Sequence, residues 1–162
     1  MKLNIGCGRN KLNGYVNIDK AVEVNPDEVI DIEEGLSYDD NTFDTIFSSH
    51  CVEHIRPDKW SFVLDEIIRV AKDGCILELE LPFDNSEKRC NIGHYRTFYF
   101  DSFRQHYITE KNRKYYSKWK LEPLHNEPTW LQRWFYNFFP FLKGTIYFKF
   151  KIIKETEQGE RG

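Results

Sequence analysis

The sequence is poor in the features that mark secreted, membrane or metal-stapled chains. Its four cysteines, Cys7, Cys51, Cys75 and Cys90, are scattered over 162 residues without a Cys-x-x-Cys pair. That spacing offers neither a structural zinc knuckle nor a disulfide framework, so a reducing, cytoplasmic setting is expected. No apolar run approaches the roughly 18–20 residues that span a bilayer. Met1-Lys2 leads straight into Leu3-Asn4-Ile5, with no apolar leader and no small-residue cleavage site. Internal repeats and low-complexity stretches are missing as well. The net charge is only −3, which gives no general pull toward nucleic acid, so a nucleic-acid partner is not expected.

What is present fits one globular domain: 40% hydrophobic and 30% charged residues, on a chain long enough for a single core. Short apolar runs alternate with turn signals in the first half. Leu3–Ile5 stops at Gly6-Cys7-Gly8, Tyr15–Ile18 at Asp19, Val29-Ile30 at Asp31, and Phe43–Phe47 at Ser48-Ser49. Buried parallel strands read this way. A helix is expected from near Pro57, its apolar stripe formed by Trp60, Val63, Leu64, Ile67, Ile68 and Ala71. Lys72 and Gly74 would end it, with a strand over Cys75–Leu81. The strand–helix–strand order from Phe43 to Leu81 makes those two strands parallel neighbours.

Asp101 is expected to cap a short helix through Tyr107, and Tyr115–Leu121 and Thr145–Ile153 read as strands. Thr129-x-x-Gln132 spells a capping box opening an aromatic helix. Consecutive strands without a helix between them predict an antiparallel pair at the end of the sheet.

The chemistry begins at Gly6-Cys7-Gly8. Glycines directly after a first strand let backbone approach a ligand closely, although an ordinary tight turn uses them too. A nicotinamide fingerprint wants a third glycine three positions after Gly8, and Lys11 stands there. The crossover helix that would carry a pyrophosphate is missing or reduced to a turn. S-adenosylmethionine has no phosphate and needs no such anchor. Asp19 ends the second strand, where a carboxylate can accept both ribose hydroxyls. Asp31 and Ile32 end the third, where a carboxylate and an apolar neighbour suit an adenine. Strand ends on one edge are where open α/β sheets bind ligands.

The stretches LNIGCGRNKLNGYVNID (3–19), VIDIEEGLSYDDNTFDTIFSSHCVEHI (29–55) and LDEIIRVAKDGCILELELP (64–82), in that order, resemble class I S-adenosylmethionine-dependent methyltransferases of the type-11 kind. The resemblance implies a Rossmann-like α/β fold. Its central sheet is mostly parallel and seven-stranded, with an antiparallel C-terminal strand inserted between two others. It implies cofactor contacts from Gly6, Cys7, Gly8, Asp19, Lys20, Asp31, Ile32, Ser49 and His50. Two departures stand out: the N-terminal helices are reduced, and the usual glycine pair after the helix is Asp73-Gly74.

His50-x-x-Glu53-His54 matches an inverted zinc-protease spacing. That chemistry needs both histidines on one face of a sustained helix. A strand precedes and Pro57 follows, so no metal is expected. His54 is instead a candidate general base, with Glu53 orienting it or holding substrate, or it simply packs in the turn. His94 and Arg96, in Gly93–Phe98, are candidate substrate contacts on the acceptor side. Lys111–Lys120 interleaves basic and aromatic residues, which strand alternation explains without a partner. Trp130, Leu131, Trp134, Phe135, Phe138 and Phe139 give the helix at 130–142 a wide apolar face. Core packing, a homodimer contact or a membrane surface would each use it.

The expectation is therefore one domain over 1–154, with a substrate-side insertion at about 84–143 and a polar tail at 155–162. It would be a methyltransferase acting on a small or medium substrate, with O-methylation of a sugar or lipid-linked intermediate the favoured case. A non-catalytic S-adenosylmethionine-binding subunit of a partner protein is the alternative.

Overall fold

The computed structural model describes residues 1–82, 93–99, 101–108, 119–124 and 145–154. Seven strands form one sheet: β1 (Lys2–Ile5), β2 (Val16–Asp19), β3 (Glu28–Val29), β4 (Phe43–Ser49), β5 (Ala71–Pro82), β6 (Trp119–Pro123) and β7 (Thr145–Lys154). Their order is β3-β2-β1-β4-β5-β7-β6. The first five run parallel, and β7 lies antiparallel between β5 and β6. This is the inserted C-terminal strand that the resemblance implies. The strand order reverses at β1, next to β4, and so opens a crevice at the carboxyl ends of these strands.

Burial follows the predicted alternation. Ile146, Phe148, Phe150 and Ile152 of β7 are buried, as are Trp119 and Leu121 of β6. Phe103 packs edge-on to Phe148 and Phe150, with centroids 5.0 and 5.4 Å away, and Tyr107 stacks on Trp119 at 4.8 Å. The segment expected to be a helix capped by Asp101 is a single π-type turn, Arg104–Ile108.

Among the described residues α1 (Trp60–Val70) is the single α-helix. Its stripe of Val63, Leu64, Ile67, Ile68 and Val70 is buried against the sheet. It begins three residues after Pro57 and stops earlier than its sequence suggests. Asn41 and Thr42 donate their N–H groups to the carbonyls of Arg69 and Val70 at 3.0 and 2.8 Å, and the chain turns at once into β5. Lys72 and Gly74 are thus strand residues. Lys72 donates to Asp44 at 2.7 Å, and Gly74 has φ +79°.

Between β1 and β2 there is no helix, as expected, and side-chain amides take its place. Asn4 and Asn17, both nearly fully buried, bond to each other at 2.9 Å. Asn4 Nδ2 also donates to the Asn10 carbonyl, while Asn17 Oδ1 accepts the Leu12 N–H at 2.7 Å. Asn17 Nδ2 donates to the carbonyls of Leu12 and Tyr15 and to Asp27 Oδ2. The connecting loop thereby satisfies its backbone without regular structure.

The expected aromatic helix at 130–142, the basic run 111–118, Cys90, most of the proposed insertion and the 155–162 tail lie outside the described residues. No described helix is long and apolar enough to cross a membrane.

Replacing Asn17 by Leu strands the buried Asn4 amide and the Leu12 backbone, and each such group costs roughly 1–3 kcal/mol. A fall in the urea midpoint of that size is expected. An unchanged midpoint would remove the network from the account. Asp27 provides a pH test: the Lys11 ammonium, then the Asn17 donors, hold its carboxyl down at about 2. A depressed folded value stabilises the native state above the unfolded value near 3.8, and this contribution is lost as pH falls toward 2. Asp27→Asn should flatten the midpoint-versus-pH curve in that window alone.

Candidate functional site

A cavity of about 600 Å³ opens where the carboxyl ends of β1, β2 and β4 meet. Its wall brings together Gly6, Cys7, Gly8, Asp19, Lys20, Asp31, Ile32, Ser49, His50 and His54, all singled out from the sequence. Glu53, His94 and Arg96 are not part of that wall.

The glycine turn is built for close approach. Gly6 has φ +66°, and a Cβ there would stand 2.5 Å from the Cβ of Cys51. Gly8, at φ +52°, has nothing within 4 Å of the corresponding position. Gly6 is therefore required by both conformation and packing, Gly8 by conformation only.

Asp19 ties the turn to β2. Its Oδ2 accepts the Gly8 N–H at 2.8 Å, and its Oδ1 accepts the Ala21 N–H at 2.9 Å. A carboxylate has about four acceptor positions, so both oxygens can still take a hydroxyl from a vicinal diol. Asp31 has a similar double duty. Its Oδ1 accepts the Glu33 N–H at 3.0 Å and caps the 3-10 turn Ile32–Glu34, while Ile30 and Ile32 give the cavity an apolar flank.

On the β4 side, Ser49 Oγ donates to Glu80 Oε2 at 2.7 Å, and the His50 N–H donates to the Glu80 carbonyl at 2.9 Å. His50 sits at φ +50°, a sparsely populated conformation for a histidine. The chain then turns so that Cys51 closes on Gly6. Burial, followed by the charges of Glu53 and Asp19, pushes the Cys51 thiol up to about 12. The thiol stays protonated and is no nucleophile.

Residues Val52–His54 form one 3-10 turn, so the His50-x-x-Glu53-His54 spacing builds no helical zinc face. Glu53 is fully buried and neither carboxylate oxygen has a hydrogen-bond donor; His50 Nδ1 stands 3.4 Å from Oε1. His54 is exposed and its Nδ1 lies 2.8 Å from the Gly93 carbonyl. A carbonyl only accepts, so Nδ1 carries a proton, and in the neutral ring Nε2 is the nitrogen with the lone pair.

Residues 93–96 dock here through the Tyr95 N–H, which donates to the Glu53 carbonyl at 2.9 Å. Their extended course sends neighbours to opposite sides. Gly93 and Tyr95 line the cavity. His94 meets His54 edge-on, with centroids 4.7 Å apart. The Arg96 guanidinium lies 4.3 Å over the Trp60 ring. The sequence reading missed Tyr95 and Glu80. Period-two alternation from Gly93 was the available signal for Tyr95, whereas the Glu80 contacts come from β4–β5 register.

Residues 3–79 match the family model described as Methyltransferase domain. A comparison with curated protein sequences returns no match. Among solved structures, an S-adenosylmethionine-dependent methyltransferase from Archaeoglobus fulgidus aligns with a TM-score of 0.62 at 17% identity, over 95% of this chain and 85% of that one. Phosphoethanolamine N-methyltransferase 1 of Haemonchus contortus, solved with phosphoethanolamine and S-adenosylhomocysteine, aligns at 0.62 and 12% identity, over 99% of this chain and 40% of that one. A complex between the Haloferax volcanii Trm112 methyltransferase activator and a chain assigned as a methyltransferase aligns at 0.61 and 13% identity, over 98% and 83%. These likenesses share the fold.

Calorimetry should find S-adenosylhomocysteine bound more tightly than NAD. Asp19→Ala should weaken it by roughly 1.5–3 kcal/mol, the worth of hydrogen bonds to a charged group. Gly6→Ala, which collides with Cys51, should abolish binding. Equal affinity in all three proteins would exclude this end of the sheet as the cofactor site.

Proposed function

We propose that this methyltransferase, whose cofactor is S-adenosylmethionine, delivers the methyl group to a hydroxyl of a small or medium acceptor of the sugar or lipid-linked kind. In this reading Gly6, Cys7 and Gly8 pack against the cofactor. Asp19 and Lys20 hold its ribose side, Asp31 and Ile32 its adenine, and Ser49 and His50 face it from β4. The sulfonium is a good leaving group, so the carbon–sulfur bond breaks as the carbon–oxygen bond forms in line. S-adenosylhomocysteine is released with one proton from the acceptor. Holding the partners in line is the larger share of the work, worth about 7–11 kcal/mol for well-oriented groups.

The observation that carries the hydroxyl reading is the bond from His54 Nδ1–H to the Gly93 carbonyl. It leaves a nitrogen lone pair at the cavity wall, beside the buried carboxylate of Glu53. Such a lone pair serves a weakly acidic hydroxyl either by taking its proton or by holding an ion that draws the proton off. Glu53 and His54 are accordingly the catalytic pair, with His94 and Arg96 bounding the acceptor side. The exposed ring of Tyr95 offers a face for the C–H surface of a sugar. The unpaired thiols of Cys7, Cys51 and Cys75 support a cytoplasmic setting.

A second reading, a cofactor-binding subunit that acts with a partner protein, is favoured by exposed Val29 on the edge strand β3 and exposed Val22 in the 3-10 turn that precedes it in the chain. The likeness to the Trm112 complex agrees with it.

Turnover to S-adenosylhomocysteine against a panel of sugar and lipid-linked alcohols decides between them. His54→Ala should lower kcat by about 10²–10⁴, the usual worth of a proton-handling group, while cofactor affinity holds. A lone chain that binds cofactor but turns over no alcohol until a partner is added would establish the second reading.

A further inference from the structure

We propose that Glu53, His54 and His94 form a site for one first-row divalent transition metal ion, zinc being the best match. The proposal rests on the reading of this end of the cavity as the acceptor side, and it specifies how the acceptor loses its proton. One carboxylate oxygen of Glu53, one ring nitrogen of His54 and one of His94 all lie within 4.8 Å of one another. Shifts of about an ångström in two exposed or half-exposed imidazoles bring them to the roughly 2.0–2.2 Å bonds such an ion makes.

Three observations point to a cation here rather than to accidental crowding. Glu53 is fully buried and its carboxylate receives no hydrogen bond. A buried charge in that state is expensive unless a cation compensates it. The His50 Nδ1 atom stands 3.4 Å away, outside good hydrogen-bond distance. His54 donates Nδ1–H to a backbone carbonyl, the outer bond that fixes a metal-ligating imidazole with Nε2 outward. Finally, His94 comes from a segment forty residues further on and is locked against the turn by the Tyr95–Glu53 backbone bond. The site therefore does not use the His50–His54 pairing of the motif, and its third ligand lies outside it.

Two imidazoles and one carboxylate suit zinc, cobalt or manganese rather than calcium or magnesium, which prefer all-oxygen shells. Three protein ligands leave a position open. An acceptor hydroxyl in that position is acidified by the ion, so its proton passes to solvent as the oxygen attacks the methyl carbon. The oxidation state of the ion does not change.

The test uses cobalt(II) and zinc(II) with the full chain, read by the cobalt visible spectrum and by calorimetry, with no turnover required. One equivalent of cobalt is expected to bind with a low-coordinate spectrum and to be displaced by zinc. His94→Ala and Glu53→Gln should each weaken zinc at least tenfold, while S-adenosylhomocysteine binding stays within twofold. His94 lies in a surface segment, so that variant remains informative if Glu53→Gln fails to fold. Zinc affinity unchanged in His94→Ala, or no cobalt spectrum in the wild type, overturns the proposal. Full methyl transfer by chelator-treated protein overturns the metal while leaving the hydroxyl reading standing. Metal binding without any methyl transfer does the reverse.

Discussion

The contact between Asn4 and Asn17 governs the geometry of everything at the carboxyl edge of the sheet. Parallel strands are ordinarily joined by a crossover of a dozen or more residues, whose helix packs on the sheet and fixes their register. Here β1 and β2 are joined by residues 6–15 with no helix, and two buried carboxamides supply the registration instead. Asn4 stands two residues before Gly6 and Asn17 two before Asp19. Locking one pair aligns the other, and the Gly8 N–H meets the Asp19 carboxylate as a result. Both the oxygen and the nitrogen of the Asn17 side chain are engaged, as a buried polar network must be to specify structure rather than weaken it.

The cavity has two halves with different construction. The half formed by β1, β2 and the 3-10 turn after β3 uses backbone and strand-end carboxylates, groups with little freedom. The turn after β4, with residues 93–96, uses side chains: His54, Tyr95 and, behind them, Glu53 and His94. Gly6 and Cys51 touch across the seam, so neither half can shift without the other. In the proposed reaction the first half would hold the cofactor and the second the acceptor, and a fixed seam suits in-line transfer because misplacement by an ångström costs orders of magnitude in rate.

The residues that line this edge of the sheet were legible in the sequence because they are local signals. Gly6-Cys7-Gly8, Asp19 and Asp31 each follow a short apolar run, and their meeting on one edge needs only parallel pairing in chain order. Period-two alternation likewise exposed the buried face of β7. What the sequence did not show concerns groups whose partners are remote. The end of α1 is set by Asn41 and Thr42, about thirty residues upstream, which no cap at Lys72 or Gly74 could reveal. The Tyr95–Glu53 backbone bond and the His54–His94 pairing join segments forty residues apart. The Trp60 ring beneath the Arg96 guanidinium is likewise a contact that no local pattern announces.

Arg69 shows how the helix braces the cavity edge of the sheet without lining the cavity. Its guanidinium donates to Glu66 through Nε and Nη2, to Asp40 and the Tyr38 carbonyl through Nη1, and to the Leu36 carbonyl through Nη2. Glu66 in turn accepts the Leu36 N–H at 2.8 Å. The segment 36–40 is thus pinned to α1 directly after the turn that carries Ile32. Arg56 adds a bond from its Nε to Glu33 at 2.8 Å, and Lys59 reaches the Glu33 carbonyl at 2.9 Å. A chain with one α-helix among its described residues uses its charged face to brace the wall holding Asp31 and Ile32. An apolar contact could bury that helix but could not fix the direction of the carbonyls it meets. The planar, forked donor does both, which a lysine at position 69 would not.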